Sequence, residues 1–288
     1  MMVITVLKRY LWLFLISGPL FMSCQKLADT PGDDNGPSTQ LNISYGSDPL
    51  QKMDIYLPGG RNTTTTKVMV LIHGGGWTEG DKADFTSYVS TIQTLLPGYA
   101  IFNINYRLAA NNSNLFPTQE NDVKAAIDLI YSKRNDYKIS DKFVLLGASA
   151  GGHLALLQGY KYTTPVKVKA VVSFFGPTDL NALFNSNIIA AAIMAGVVGG
   201  TPTTHASMYQ QSSPATFVNA STPPTILLQG GIDPLVPPAQ AEMLKTALGN
   251  AGVINQYVFY PNEGHGWVGA NLTDSFAKIA AFLNANVN

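Results

Sequence analysis

The sequence predicts a single α/β domain with a mostly parallel central sheet, helices on both of its faces and a small cap segment. Short apolar runs alternate with longer stretches of helical spacing along most of the chain, which is the order of elements in a parallel α/β fold. The runs are apolar at consecutive positions, as at residues 68–72, and strands buried on both faces have this pattern. A length of 288 residues, of which 46% are hydrophobic, suits one large core.

The folded domain is predicted to span residues 41–288 and to begin with an antiparallel hairpin. Apolar and polar residues alternate over residues 41–45 and 53–57, and a Gly-Ser-Asp-Pro turn separates the two stretches. Further strands are predicted at residues 68–72, 99–106, 142–146, 168–175, 225–229 and 254–260, and helices at residues 85–96, 121–134, 238–248 and 271–283 and directly after Ser149. Residues 179–224 interrupt this alternation. A segment of that length inside a compact domain is usually functional, and we predict a partly helical cap over the site.

The residues before this domain have the pattern of a secretion signal and a linker. Two basic residues precede an apolar run over residues 10–22, which is shorter than a typical membrane span and fits a signal peptide over residues 1–23. Cys24, the only cysteine, ends that pattern and resembles the lipidated cysteine of bacterial lipoproteins, although Phe21 replaces the usual leucine. Residues 24–40 are rich in proline, glycine and polar residues and predict a flexible tether. We therefore expect a lipid-anchored protein of the bacterial cell envelope; the alternatives are an ordinary signal peptide with secretion, or a short membrane anchor.

A Gly-x-Ser-x-Gly motif at residues 147–151 lies between a predicted strand and a predicted helix. In that setting Ser149 sits on a tight turn, with its hydroxyl exposed above the carboxyl end of the sheet. The flanking glycines are needed because such a turn leaves no room for side chains, and the N-terminus of the following helix favours a developing negative charge. The motif alone also fits a plain glycine-rich turn, so the assignment of Ser149 as a nucleophile depends on partners elsewhere in the chain.

The chain has four histidines, and one of them is placed to act as the base. Cleavage of an ester or amide through an acyl-enzyme needs an activated hydroxyl, a base oriented by a carboxylate and donors for the oxyanion. On a strand–serine–helix turn the partners follow in the order serine, acid, histidine, each after a strand. Only His265 has that order and follows a predicted strand. His73 is expected to brace the glycine run that it opens, His153 to lie on the flank of the helix after the motif, and His205 to lie in the cap.

Two aspartates follow predicted strands and are the candidates for the acid. Asp233 lies one strand before His265, which is the common arrangement, and two glycines precede it. Asp179 is interpreted as a cap for the following helix. Glu263 is only two residues from the histidine, which is poor geometry for a partner. The sequence therefore predicts Asp233 as the acid.

Three glycines directly after the strand at residues 68–72 predict the donors for the oxyanion. Glycine lets the backbone itself approach a substrate oxygen, so Gly75 and Gly76 are expected to act with the backbone N–H of Ala150. Trp77 ends this run and is interpreted as a packing residue more than as a wall of the acyl pocket.

Four motifs together resemble those of α/β-hydrolases from the hormone-sensitive-lipase-like carboxylesterase group. They are His-Gly-Gly-Gly-Trp at residues 73–77, Asn-Tyr-Arg-Leu at residues 105–108, Gly-Ala-Ser-Ala-Gly-Gly-His at residues 147–153 and Asp-Pro-Leu-Val-Pro at residues 233–237. The hairpin pattern at residues 53–58 is similar to that of small bacterial esterases and kynurenine-formamidase-like members. The resemblance covers residues 41–288 and implies an α/β-hydrolase fold, esterase activity on short acyl groups and no cofactor. Residues 109–112 depart from the family, in which a proline-glutamate pair is frequent there, and this bears on substrate access.

These observations predict a serine carboxylesterase for short-chain acyl esters, with acylated carbohydrates as expected substrates and no metal. The alternatives are an arylformamidase or small peptidase that uses the same residues, and a catalytically silent binding lipoprotein. A net charge of zero gives no reason to expect nucleic acid as a partner, and a membrane is expected only through the N-terminal lipid. The short cap and the few apolar residues of the loops predict a preference for acyl chains of about two to four carbons, without activation at a lipid interface.

Overall fold

The computed structural model describes residues 35–288, which form an eight-stranded sheet with helices on both faces. The strands are β1 (Ser38–Ser44), β2 (Lys52–Leu57), β3 (Lys67–Ile72), β4 (Tyr99–Ile104), β5 (Phe143–Ala148), β6 (Ala170–Phe174), β7 (Thr225–Gly230) and β8 (Asn255–Tyr260), in the spatial order β1-β2-β4-β3-β5-β6-β7-β8. β2 pairs antiparallel with both β1 and β4, and the strands from β3 to β8 run parallel. The predicted mostly parallel α/β class is confirmed.

Helices bury both faces of the sheet, so each strand contributes to two cores. The helices are α1 (Ala83–Leu95), α2 (Thr118–Ser132), α3 (Ala150–Lys161), α4 (Leu180–Phe184), α5 (Ile188–Val198), α6 (Ala206–Gln211), α7 (Ala239–Asn250) and α8 (Gly269–Asn286), with a 3-10 turn at Pro214–Phe217. Val70 of β3 packs in the core that α2, α3 and α7 cover, and its neighbours Met69 and Leu71 pack in the core under α1 and α8. Burial on both faces explains why the strand reads as an unbroken apolar run.

The folded part of the chain begins earlier than predicted. β1 starts at Ser38, three residues before the predicted boundary at residue 41. The carbonyl of Asn35 also accepts a hydrogen bond from the Gly60 N–H at 2.8 Å, and the Gly36 carbonyl accepts one from Arg61 at 2.5 Å. Residues 35–40 therefore belong to the domain and not to a tether, because Asn35 and Gly36 bond to the turn after β2 and residues 38–40 pair with β2. The predicted signal peptide, Cys24 and the rest of the predicted tether lie outside the described residues.

The predicted cap between β6 and β7 contains three short helices and the 3-10 turn. Asp179 begins α4 by accepting a hydrogen bond from the Ala182 N–H at 2.9 Å, as predicted for a helix cap. Asn187 caps α5 in the same way, and Gly199 ends α5 with a φ of +83°. Within residues 35–288 no helix has the length and apolar character needed to cross a membrane.

Candidate active site

Ser149 lies on a strained turn between β5 and α3. Its φ is +54°, a value that side-chain-bearing residues rarely adopt, and its N–H donates to the Phe174 carbonyl of the neighbouring strand at 2.8 Å. A Cβ atom on Gly147 would lie 2.1 Å from the Gly151 carbonyl oxygen, and one on Gly151 would lie 2.0 Å from the Ile72 carbonyl oxygen. Both glycines are therefore required sterically, for the reason that the sequence suggested.

The structure brings Ser149, His265 and Asp233 into one chain of hydrogen bonds. His265 follows β8, and its Nε2 lies 2.8 Å from the Ser149 Oγ, while its Nδ1 lies 2.7 Å from the Asp233 Oδ2. A carboxylate can only accept, so Nδ1 carries the proton and Nε2 is free to accept from the serine hydroxyl. This is the arrangement in which a serine can lose its proton to a base that a carboxylate orients.

Close contact between the loops after β7 and β8 places Asp233 beside His265. A Cβ atom on Gly230 would lie 2.1 Å from the Gly264 carbonyl oxygen, so the glycine permits this approach. The other oxygen of Asp233 accepts hydrogen bonds from the backbone N–H groups of Leu235 and Val236, both at 2.9 Å. These two donors fix the orientation of the carboxylate.

The other two acidic candidates lie elsewhere. Asp179 caps α4, and Glu263 accepts a hydrogen bond from Asn271 at 2.6 Å. Of the three carboxylates that the sequence offered, the hydrogen bond to His265 therefore belongs to Asp233.

The glycine run after β3 lies against Ser149. A Cβ atom on Gly74 would lie 3.3 Å from the Ser149 Cβ, and Gly75 and Gly76 have φ angles of +100° and +57°. Among the described residues, the N–H groups of Gly75, Gly76 and Ala150 donate to no other backbone group. Three unpaired N–H groups beside a serine hydroxyl are able to bind a developing oxyanion.

The remaining histidines differ from His265 in their surroundings. His73 is buried, stacks on Tyr106 with the ring centroids 4.2 Å apart, and braces the start of the glycine run as predicted, since the Tyr106 hydroxyl donates to its carbonyl at 3.0 Å. Burial lowers the pKa of His73. His205 is exposed in the cap. His153, expected on the flank of α3, is instead fully buried.

A cavity of about 490 Å³ opens above Ser149 and is mostly apolar. Aromatic and aliphatic side chains from α1, α4, α5, α8 and the loops beside them line it, among them Phe85, Tyr88, Leu183, Ile189, Ile193, Trp267 and Phe276. Leu183, Ile189 and Ile193 belong to the cap, so α4 and α5 of that segment lie over the site. The expectation of a sparse apolar lining is wrong because it counted loop residues, whereas helices supply most of these side chains.

Phe175 is a site residue that sequence reasoning missed. It follows β6 with a φ of +38°, and its ring centroid lies 4.6 Å from that of His265. A single phenylalanine at a strand end carries no signal for this role.

The cavity carries negative charge at its rim. Of the described residues that line it, those with a formal charge at neutral pH are Glu79 and Asp84, and both are exposed. This charge disfavours the approach of an anionic ligand relative to a neutral one. Within the described part of the chain, no cluster of histidine, cysteine or acidic side chains could hold a metal ion.

Comparisons with known proteins show the family and the fold of this chain. The family model BD-FAE matches residues 53–248. Esterase LipC of Mycobacterium tuberculosis (strain ATCC 25618 / H37Rv) is 27% identical over 262 residues, which cover 84% of this chain and 64% of LipC. The chain thus spans only about three fifths of the length of this relative and of esterase LipQ of the same organism, for which the figure is 59%.

Two solved structures are also similar. A truncated carbohydrate esterase from gut microbiota superposes with a TM-score of 0.74 at 26% identity, over 88% of this chain and 98% of that one. A bifunctional GH43-CE of Bacteroides eggerthii gives a TM-score of 0.73 at 30% identity, over 84% of this chain and 38% of that one.

Proposed function

The chain belongs to the BD-FAE family, and we propose that it is a serine carboxylesterase whose nucleophile is Ser149. The observation that carries this proposal is the unbroken hydrogen-bond chain from Asp233 through His265 to the Ser149 hydroxyl. In the first half-reaction the Ser149 Oγ forms a bond to the ester carbonyl carbon and its proton passes to Nε2 of His265. Asp233 stabilises the resulting imidazolium, and the N–H groups of Gly75, Gly76 and Ala150 bind the oxyanion.

The tetrahedral intermediate then collapses. The bond from the carbonyl carbon to the alcohol oxygen breaks, and His265 returns its proton to the leaving alcohol. In the second half-reaction water gives a proton to His265 and attacks the acyl-enzyme, which releases the carboxylic acid and restores Ser149. This cycle uses only groups of the protein and water.

We propose short-chain acyl esters of carbohydrates as the substrate class. The solved relatives described as a carbohydrate esterase and as a GH43-CE support this class. The acidic rim at Glu79 and Asp84 suits a neutral sugar ester, because carboxylates accept hydrogen bonds from sugar hydroxyls and repel anions. The volume of about 490 Å³ accommodates a small acyl group together with part of a sugar.

A fluorophosphonate probe and an ester panel test the proposal. Wild-type protein should be labelled covalently and should hydrolyse chromogenic acetate and butyrate esters, whereas Ser149→Ala should lose labelling and fall by orders of magnitude in turnover while it keeps the native fold by circular dichroism. Near-native turnover in Ser149→Ala would exclude this nucleophile. An optimum at long acyl chains, or a jump in rate above the critical micelle concentration, would exclude the short-chain preference.

The same panel separates the rival functions. Faster turnover of formamides or dipeptide amides than of esters would indicate an arylformamidase or a small peptidase. A protein that is folded but neither labelled by the probe nor active on any of these substrates would indicate the catalytically silent alternative.

We also propose that the protein is anchored to the bacterial cell envelope through lipid on Cys24. The position of the only cysteine directly after an apolar run supports this. The described chain begins at Asn35 and Gly36, which bond to the turn after β2, at the opposite end of the parallel strands from Ser149. Cys24→Ala should shift the protein from membrane to soluble fractions or leave an uncleaved precursor. A correctly processed variant that still fractionates with membranes would exclude lipidation.

A further inference from the structure

The glycine run that carries the proposed oxyanion donors has positive φ angles, which are unfavourable for residues with a side chain. Gly75, Gly76 and Trp77 follow one another with φ angles of +100°, +57° and +62°. Glycine adopts such angles without strain, but tryptophan does not, and a strained residue persists only where its surroundings fix it. The contacts of Trp77 therefore help to hold this backbone, together with the N–H groups of Thr78 and Glu79, which donate to the Gly75 carbonyl at 3.0 Å.

The Trp77 side chain contacts His153 through its ring and its N–H group. The indole is 2% exposed, and its ring stands edge-on to the His153 ring at a centroid distance of 5.2 Å. Its Nε1–H donates to the Nδ1 of His153 at 3.3 Å. The Trp77 carbonyl accepts from the Ala109 N–H at 2.9 Å, and Phe116 packs edge-on against the indole at a centroid distance of 5.8 Å.

His153 is attached both to the nucleophile turn and to the cap. It lies in the first turn of α3, where its N–H donates to the Ser149 carbonyl at 3.0 Å. Its Nε2 lies 2.6 Å from the carbonyl oxygen of Ser212, which is in the cap between α6 and the 3-10 turn. An indole N–H can only donate and a carbonyl can only accept, so both ring nitrogens are committed and the tautomer is determined.

The imidazole stays neutral in this position. His153 has no measurable exposure, and burial lowers its pKa to about 4. Protonation at Nδ1 would place two N–H groups against each other at the contact with Trp77. A neutral imidazole with a hydrogen bond at each ring nitrogen is suited to holding its neighbours in place and not to transferring protons.

We propose that His153 is a positioning residue for the oxyanion site: through Trp77 it fixes Gly75 and Gly76 relative to Ser149. The bond to Ser212 holds the ring in the orientation that makes this contact. The role rests on the proposed esterase function, because it concerns donors that act only on a developing oxyanion.

Two substitutions of similar size distinguish the effect of the hydrogen bond between His153 and Trp77 from that of the hydrogen bond between His153 and Ser212. The amide oxygen of His153→Asn can lie where Nδ1 lies and accept from Trp77, while His153→Gln reaches to the position of Nε2 and keeps only the bond to Ser212. We expect His153→Gln to lower kcat at least tenfold with KM changed less than threefold, since the lost alignment acts in the transition state. His153→Asn should lose several-fold less kcat than His153→Gln at a similar melting temperature.

A double-mutant cycle and a control complete the test. Trp77→Phe removes the indole donor and should lower kcat about as much as His153→Gln, and the double variant should show no further loss. His205→Gln, in the exposed part of the cap, should keep the parent kcat. Equal kcat losses in His153→Asn and His153→Gln, or additive losses with Trp77→Phe, would overturn the positioning role while leaving the esterase function in place. Absence of ester turnover in the parent protein would overturn the function itself and the role with it.

Discussion

Two histidines of this protein use both of their ring nitrogens, and they differ in what faces them. His265 lies between the Ser149 hydroxyl and the Asp233 carboxylate, and 17% of its side chain is exposed. His153 lies between an indole N–H and a peptide carbonyl and is fully buried. A carboxylate stabilises an imidazolium, whereas an indole N–H opposes one. The partner therefore decides whether a histidine next to this serine can take up a proton or only hold geometry.

Removing the carboxylate from His265 should give the largest effect. Asp233→Asn takes away the counter-charge and can donate to Nδ1, which would leave the proton on Nε2, where it faces Ser149. We expect kcat to fall by about 10⁴-fold, measured on a chromogenic acetate ester. The control is Asp179→Asn, which should keep the parent kcat because that carboxylate faces the backbone of α4. A loss of less than tenfold in Asp233→Asn would show that His265 does not depend on this carboxylate.

Acidification should lower the free energy of unfolding because His153 resists protonation in the fold. The pKa of His153 in the folded state is lowered to about 4 from its ordinary value of 6.5. Below pH 6.5 the unfolded chain takes up a proton that the folded chain does not, so stability is lost as the pH falls from 6.5 towards 4 and is unaffected above that window. His73, whose pKa burial also lowers, acts in the same direction.

We expect the His153 contribution to reach about 2 kcal/mol between pH 7.5 and pH 5. Urea denaturation at these two pH values measures it, with His153→Asn as the matched variant, because the protonation of carboxylates and of His73 is common to both proteins. The variant should lose about 2 kcal/mol less than the parent over this interval. Equal losses in the two proteins would mean that His153 titrates normally in the fold.

The two histidines also differ in how far the sequence could predict their surroundings. Ser149, Asp233 and His265 each follow a strand in a fixed chain order, and strands of a parallel sheet end at one edge, so their proximity follows from sequence position. Helical spacing from Ser149 predicts His153 on the flank of α3, but its partners, Trp77 and Ser212, are distant in the sequence, and only the packed fold brings them together.

The cavity wall could not be predicted for a similar reason. Phe85 and Phe276 have the spacing of ordinary core positions on α1 and α8, and nothing in that spacing tells a core from a pocket. Phe175 is positioned by a strained backbone angle that no local sequence signal indicates. The start of the domain was misjudged because residues 35–40 are polar and make backbone contacts, which composition does not reveal.

The two aspartates Asp233 and Asp179 differ in the same way as the two histidines, in the groups that face them. Substitution of Asp179 should give the smallest effect of those predicted here. Asp233 and Asp179 follow neighbouring strands, but the Asp179 carboxylate accepts its hydrogen bond from the N–H of Ala182 at the start of α4. Alanine cannot accept that hydrogen bond, so Asp179→Ala should lower the free energy of unfolding by about 1 kcal/mol, whereas Asp179→Asn should lower it much less because asparagine caps helices about as well as aspartate. Urea denaturation at pH 7 measures both changes, and kcat should stay at the parent value in each. A drop in kcat of more than tenfold in Asp179→Asn would place this carboxylate in the catalytic machinery and remove the distinction between the two.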